Sequence, residues 1–220
     1  MEQSYRAIVA GATGLVGREL IAQLTRSPHY EKVWALTRRP AEFDSPAPEQ
    51  LVIDFDRIPE SLPDVQADHL FCALGTTINK AGTREEFRKV DQHYVIALGR
   101  WAKEHGINKF LAVSAMGASE RSLFFYNRVK GQTEAGLKEL GLPSLFIFRP
   151  SLLLGKRNKK RPAEETAEKI FRVLNPLMAG PLKKYKPVEA GTVAAAMISE
   201  AINSDEPFKI ILSYEMEQTV

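Results

Sequence analysis

Short apolar runs rich in β-branched residues alternate along the chain with segments in which apolar residues recur every three or four positions. This alternation is typical of βαβ units and predicts a parallel sheet. Because parallel strands are covered on both faces, their residues are expected to be apolar throughout rather than at every second position. The predicted strands are Arg6–Ala10, Lys32–Thr37, Gln50–Asp54, His69–Ala73, Lys109–Ser114, Ser144–Arg149 and Phe208–Leu212.

The segments between these runs predict helices with recognisable ends. Gly106 and Gly141 each follow an amphipathic segment, at the position where glycine commonly ends a helix. The predicted helices are Gly14–Arg26, Thr83–His105, Phe124–Leu140, Glu164–Leu174 and Val188–Ile202. Elements in this order predict an α/β fold, namely a Rossmann-type doubly wound parallel sheet of about six to seven strands with helices on both faces.

The length of the chain predicts a single domain. Its 220 residues are 44% apolar and 26% charged, which is typical of a globular protein. We predict one domain over residues 1–220, to which residues 150–207 contribute a small substrate-side region and the end of the chain a short extension. Pro40–Pro48 is predicted to be a surface loop.

Cysteine and histidine usage and the start of the chain argue against several protein classes. Cys72 is the single cysteine, so an intramolecular disulfide is excluded, and the four histidines lack the spacing of metal ligands. The first residues do not resemble a secretory signal, and no apolar run reaches the roughly 18 residues of a membrane span. We therefore predict a cytoplasmic protein with neither a metal site nor a membrane partner.

The net charge of +3 has a local origin. Five cations lie within residues 156–161 (Lys-Arg-Asn-Lys-Lys-Arg), so the rest of the chain is close to neutral. Such a run could bind nucleic acid, but no aromatic residues that would stack on bases are interleaved with it. We interpret it as a solvated loop from which one or two cations reach a phosphate, with nucleic-acid binding as the alternative.

A glycine-rich turn, Gly11-Ala-Thr-Gly14-Leu-Val-Gly17, joins the first predicted strand to the first predicted helix. Glycines at this spacing permit a tight turn and a close approach of the backbone, so a pyrophosphate can bind the free N–H groups at the positive end of the helix. The triplet alone is a weak motif. Its position between a strand and a helix is what indicates a dinucleotide site.

The end of the second predicted strand indicates which dinucleotide is bound. NAD-binding domains usually place an acidic residue there, to accept from the ribose hydroxyls. This chain has Arg38 and Arg39, whose guanidinium groups favour a 2′-phosphate and so predict NADP(H) over NAD(H), unless both are merely solvated. Asp54, at the end of the third predicted strand, could accept from the adenine amino group or cap a turn.

Tyr126 and Lys130 lie four residues apart in the predicted helix Phe124–Leu140, so both fall on one face. A neighbouring ammonium stabilises a phenolate, which lets tyrosine give a proton to a carbonyl oxygen or take one from an alcohol. Ser114 ends the fifth predicted strand, where open α/β sheets bind ligands, and could hold the same carbonyl. The alternatives are amphipathic packing for the helix pair and a strand-end cap for Ser114.

These motifs resemble the short-chain dehydrogenase/reductase superfamily, and within it the atypical, Tat-interactive-protein-like group of NAD(P)-binding proteins. The likeness extends from about Arg6 to the last predicted strand. Its more specific marks are Phe71-Cys-Ala-Leu-Gly-Thr-Thr, Lys80-Ala-Gly, Phe87-Arg-Lys-Val-Asp, Phe148-Arg-Pro-Ser-Leu-Leu-Leu and Arg161-Pro162.

The resemblance implies a cofactor site and a catalytic set, Ser114, Tyr126 and Lys130. In the cofactor site, Gly11, Thr13, Gly14, Leu15, Val16 and Gly17 would line the pyrophosphate, Arg38 and Arg39 the 2′-phosphate, Leu74, Gly75 and Thr76 the adenine-side ribose and phosphates, Tyr126 and Lys130 the nicotinamide ribose, and Leu153 with Arg161 the far end. The chain departs from many reductases at Asp91, where they have a relay asparagine.

Two functions are compatible with these features. One is an NADPH-dependent oxidoreductase that transfers hydride between the cofactor and an unidentified carbonyl or alcohol substrate, with Tyr126 as the general acid and base. The alternative is a non-catalytic NADPH-binding regulatory or sensor protein that acts through protein partners. The sequence leaves the oligomeric state open.

Overall fold

A computed structural model describes residues 4–44, 46–155 and 186–219 of the chain. The predicted alternation of strands and helices is present in these residues. The strands are β1 Tyr5–Ala10, β2 Tyr30–Thr37, β3 Glu49–Val52, β4 His69–Cys72, β5 Lys109–Val113, β6 Ser144–Arg149, β7 Leu153–Leu154, β8 Val188–Glu189 and β9 Phe208–Leu212. The helices are α1 Leu15–Leu24, α2 Ile78–Ala81, α3 Arg84–Arg88, α4 Tyr94–Glu104, α5 Phe125–Glu139, α6 Ala190–Asn203 and α7 Ser213–Met216.

Seven of the strands form one sheet in the order β3-β2-β1-β4-β5-β6-β9, and every neighbouring pair in it is parallel. The predicted doubly wound Rossmann-type fold is confirmed. The order reverses between β1 and β4, and open α/β sheets bind their ligands in the crevice at such a switch point. A separate two-stranded sheet, formed by β7 and β8, was not among the predicted elements.

Alternate residues of the central strands pack into two hydrophobic layers, one on each face of the sheet. On β1, Ala7 and Val9 join the layer that contains the buried residues of α1 and α6. Ile8 and Ala10 join the opposite layer, with residues of α4 and α5. Because both faces are covered, the strands are apolar throughout, which is why they could be recognised from local sequence.

Two predicted helices differ from the observed elements. The segment Thr83–His105 is helical but not uniform, since the π-helical turn Lys89–His93 separates α3 from α4. The predicted helix Val188–Ile202 starts too early, because Val188–Glu189 pairs with Leu153–Leu154 before α6 begins. The predicted helix Glu164–Leu174 lies outside the described residues. Gly106 and Gly141 end their helices as expected, with φ of 66° and 64°.

Within the described ranges, no helix is both long and apolar enough to cross a bilayer.

Candidate functional site

The glycine turn lies at the switch point, packed against the loop that follows β4. Gly11 has a φ of 79°, and a Cβ there would come within 2.5 Å of the Ala73 carbonyl group. A Cβ on Gly17 would lie only 2.1 Å from the Gly11 carbonyl oxygen. Both positions therefore require glycine. A side chain at Gly11 would collide with the loop after β4, and one at Gly17 would collide with the turn itself.

Thr13 and Gly14 form the exposed part of this turn. Gly14 is the N-cap of α1 and receives no side-chain cap, so the positive end of that helix is open to an anionic ligand. Val16 is buried in the core together with Gly17, so only the backbone at this point can face a ligand. The turn thus offers the small, donor-rich cradle that a pyrophosphate requires.

The end of β2 carries polar groups that fit a nucleotide. Arg38 and Arg39 are both exposed there. Just before them, the hydroxyl of Thr37 is buried and has no hydrogen-bond partner among the described residues. Buried polar atoms normally have a partner, so this hydroxyl, next in sequence to two exposed arginines, is compatible with a polar ligand at the end of β2.

Asp54 lies beyond β3 and caps a short 3₁₀ helix, Phe55–Arg57. Its Oδ1 accepts from the Asp56 backbone N–H at 3.0 Å. The capping alternative therefore describes one of the two carboxylate oxygens. The residue as a whole is exposed, near the end of the sheet.

The loop after β4 contains Leu74, Gly75 and Thr76, and a hydrogen bond joins it to the buried residue Asp91. The Thr76 backbone N–H donates to Asp91 Oδ2 at 2.8 Å, and Gly75 is exposed above it. Asp91 itself is 1% exposed and lies in the π-helical turn. The turn therefore presents a buried carboxylate to the loop expected to bind the cofactor.

Lys130 and Tyr126 lie on one face of α5, at different depths. Lys130 is 5% exposed, whereas Tyr126 is 37% exposed. The Lys130 Nζ lies 2.7 Å from Asp91 Oδ1. Burial is the largest influence and lowers the pKa of Lys130, but the charge and hydrogen bonding of Asp91, together with Tyr126 and Cys72, outweigh it and raise that pKa above its ordinary value. Lys130 is therefore a buried ammonium on the same helix face as an accessible phenol.

Ser114 is drawn into a second buried network. Its hydroxyl donates to Glu134 Oε1, and Glu134 forms a two-pronged ion pair with Arg149, with Nε–Oε1 and Nη2–Oε2 distances of 3.0 and 2.5 Å. A hydroxyl has one proton, so toward the site Ser114 can accept a hydrogen bond but not donate one. The carbonyl-holding role expected of it would need that proton.

Leu153, expected from the resemblance at the far end of the cofactor site, lies beside the core layer below the sheet's switch point. Leu153 is partly buried against the core layer that contains α1. A Cβ on nearby Gly155 would lie 2.9 Å from Leu15 Cδ1, so this segment closely approaches the start of α1. The other residues expected here, Arg161 and the basic run of residues 156–161, lie outside the described residues.

Cys72 is poorly suited to nucleophilic chemistry. It is buried at the end of β4, and burial raises the pKa of its thiol to about 11. The thiolate is the reactive form, and it is scarce at neutral pH when the pKa is so high.

Three polar residues of the site were not among those predicted from the sequence: Thr133, Glu134 and Arg149. Thr133 and Glu134 could have been found, because they follow Lys130 by three and four residues and so lie on its face of the helix. Arg149 belongs to the Phe148-Arg-Pro motif, but nothing local shows that it pairs with Glu134.

Comparisons with known proteins agree with this geometry. A family model described as NAD(P)H-binding matches residues 11–170. The chain is similar to the protein HTATIP2 of Rattus norvegicus, with 36% identity over 173 residues, 77% of this chain and 71% of the relative. It is also similar to the mitochondrial protein FMP52 of Debaryomyces hansenii, with 32% identity over 207 residues, 91% of this chain and 90% of the relative.

Solved structures share the fold at low identity. MoeE5 in complex with UDP-glucose and NAD matches with a TM-score of 0.70 and 16% identity, covering 96% of this chain and 79% of that chain. A UDP-galactose 4-epimerase matches with a TM-score of 0.68 and 14% identity, covering 94% of this chain and 77% of that chain. At such identities the likeness concerns the fold alone.

Proposed function

We propose that this chain, which belongs to the NAD(P)H-binding family and to the HTATIP2-like group of atypical short-chain dehydrogenase/reductases, is an NADP(H)-dependent oxidoreductase. Its substrate would be a carbonyl compound in one direction and the matching alcohol in the other. The observation that carries the proposal is the accessible Tyr126 phenol above the buried Lys130 ammonium, next to the cofactor loop.

The proposed chemistry divides between the cofactor and the protein. A bound nicotinamide supplies a hydride to the carbonyl carbon, or accepts one from the alcohol carbon. Tyr126 gives its hydroxyl proton to the carbonyl oxygen as that oxygen becomes negative, and takes the proton back in the reverse direction. Lys130 stabilises the phenolate that remains. Ser114 accepts a hydrogen bond from the Tyr126 hydroxyl or from the alcohol.

The preference for NADP(H) rests on Arg38 and Arg39. Both are exposed at the end of β2, where a carboxylate would repel a 2′-phosphate, and neither forms an ion pair within 4 Å among the described residues. A charge-assisted hydrogen bond contributes about 1.5–3 kcal/mol, so Arg38→Gln should weaken NADPH binding at least about tenfold and leave NADH binding nearly unchanged. Arg100→Gln, at an exposed arginine of α4, is the matched control.

The oxidoreductase proposal is tested by following NADPH consumption with a panel of aldehydes and ketones. Tyr126→Phe should lower kcat/KM at least about 100-fold, because the proton donor is removed, while the Kd for NADPH stays within about twofold. Tyr5→Phe is the matched control. Tyr5 starts β1 at the opposite end of the sheet and should keep wild-type turnover. Wild-type turnover by Tyr126→Phe would disprove the assigned role.

A second candidate function is a non-catalytic NADPH-binding regulatory protein. It is supported by Leu123 and Phe124, which are 94% and 76% exposed just before α5. Exposed large apolar groups beside a ligand site are typical of interaction surfaces. Tight NADPH binding without turnover on the panel would favour this candidate. The predicted cytoplasmic location stays a prediction, since the Debaryomyces hansenii relative is named as mitochondrial.

A further inference from the structure

The Asp91 carboxylate contacts two groups from different parts of the site, one through a hydrogen bond and one through an ion pair. The Thr76 backbone N–H, in the loop after β4, donates to Oδ2 at 2.8 Å. The Lys130 ammonium on α5 lies 2.7 Å from Oδ1. In addition, the Thr133 hydroxyl donates to the Asp91 main-chain carbonyl at 2.9 Å. One buried residue thus joins the candidate cofactor loop to the candidate catalytic helix.

This arrangement requires a carboxylate and cannot be replaced by an amide. A carboxylate offers two acceptor oxygens, one for each donor. Asparagine offers one acceptor oxygen and one NH₂ donor, so it would leave either the Thr76 N–H or the Lys130 ammonium facing another donor. The two donor groups on either side therefore explain why this chain has aspartate at a position where many reductases have asparagine.

The groups around Asp91 are balanced in charge. Lys130 and Glu134 reach the same small cavity, of about 10 Å³, from α5, together with the hydroxyl groups of Ser114 and Thr133. Glu134 is neutralised by Arg149 from β6. The Cys72 thiol on β4 has a pKa raised to about 11 and stays uncharged at neutral pH. Asp91 is therefore the charge that compensates Lys130, while Tyr126 lies above the pair.

The cofactor loop lies next to this ion pair. A Cβ on Gly75 would lie 3.4 Å from Asp91 Oδ1 and 3.7 Å from Lys130 Nζ. The side of Gly75 on which a side chain would stand therefore faces both charged groups.

We propose that Asp91 is a positioning residue that fixes the Lys130 ammonium next to Gly75, and so sets the shape of the loop that is expected to bind the cofactor. The proposal rests on the cofactor-binding part of the proposed function and not on turnover, so failure of the oxidoreductase proposal would not be confused with failure of this one.

The placement of Lys130 by Asp91 is tested by a double-mutant cycle of Asp91→Asn and Lys130→Met. The two quantities measured are the affinity for NADPH and the temperature of thermal unfolding. Asp91→Asn should weaken NADPH binding about tenfold, because the amide cannot serve both donors. In the Lys130→Met background the amide oxygen is free for the Thr76 N–H, so the same change should leave the affinity within about twofold. The double variant should also unfold at a higher temperature than Lys130→Met, which leaves a buried carboxylate uncompensated.

Equal losses of affinity in both backgrounds, with no gain in unfolding temperature, would overturn the proposal. Asp64→Asn is the matched control, since Asp64 is an exposed aspartate in the loop before β4, and it should change neither readout.

Discussion

A buried histidine at the start of β4 should make the stability of this protein fall between pH 7 and pH 5. His69 is 1% exposed, at the end of the sheet opposite the candidate site. Its Nδ1 lies 2.8 Å from the Tyr30 hydroxyl, and burial raises the pKa of that phenol, which therefore stays protonated and donates. A proton on Nδ1 would set two donors against each other.

The size of the effect follows from the difference in pKa between the folded and unfolded chains. Burial, with a smaller contribution from Lys109, lowers the pKa of His69 from 6.5 to about 4. The unfolded chain binds the proton first, so this contribution to stability is complete above about pH 6.5 and is lost as the pH falls toward 4. Between pH 7 and pH 5 the loss is about 2 kcal/mol, which lowers Tm by about 4–8 °C in a protein of this size.

Urea unfolding at pH 7 and pH 5 measures this loss, with His69→Asn as the test variant. The amide oxygen of asparagine can still accept from Tyr30 but does not titrate, so the variant should lose about 2 kcal/mol less than the wild type over this range. His93→Asn, at an exposed histidine, should keep the wild-type slope. If wild type and His69→Asn lose equal stability from pH 7 to pH 5, the burial argument is wrong.

Two further predictions concern the supports of the site. Gly17→Ala in α1 should lower the free energy of unfolding by about 3 kcal/mol or more, because the added Cβ would lie 2.1 Å from the Gly11 carbonyl oxygen, and chemical denaturation measures this. The same change at Gly191 in α6, where the nearest atom is 3.4 Å away, should raise stability by about 0.5–1 kcal/mol. Lys109→Met should cost about 1–3 kcal/mol, since the Lys109 Nζ donates to the Ala201 and Ser204 carbonyls at the end of α6 at 2.9 and 2.6 Å. Amides in the last turn of α6 should then exchange with solvent faster, and unchanged exchange would contradict this role.

The fold was predictable because its main features leave local marks in the sequence. A strand covered on both faces is an apolar run, as in Arg6–Ala10, and the tight turn after it needs glycine at defined positions. The fold order then follows, since parallel strands joined by helices have few allowed arrangements. These marks were sufficient for the sheet and for the glycine turn.

The polar part of the site was less predictable, because its contacts join distant parts of the chain. The sequence shows that Asp91 stands where asparagine is common, but not that the Thr76 N–H donates to it and that Lys130 forms an ion pair with it. The π-helical turn that carries Asp91 has the same apolar spacing as the helix around it. Ser114 was expected to hold a substrate carbonyl, but its hydroxyl donates to Glu134, and only the packing of α5 against the sheet brings the two side chains together.

The packing of α1 has a consequence for how the protein is made. The apolar face of α1, with Leu20 and Leu24, is buried in the same layer as Val193 and Met197 of α6, and Gln23 Nε2 donates to the Gly191 carbonyl at 3.0 Å. The helix that follows the glycine turn is therefore covered by a helix that is synthesised after most of the chain. During translation the apolar face of α1 stays uncovered until α6 has been made. A chain interrupted before residue 190 would therefore contain the glycine turn but lack the helix that packs against α1.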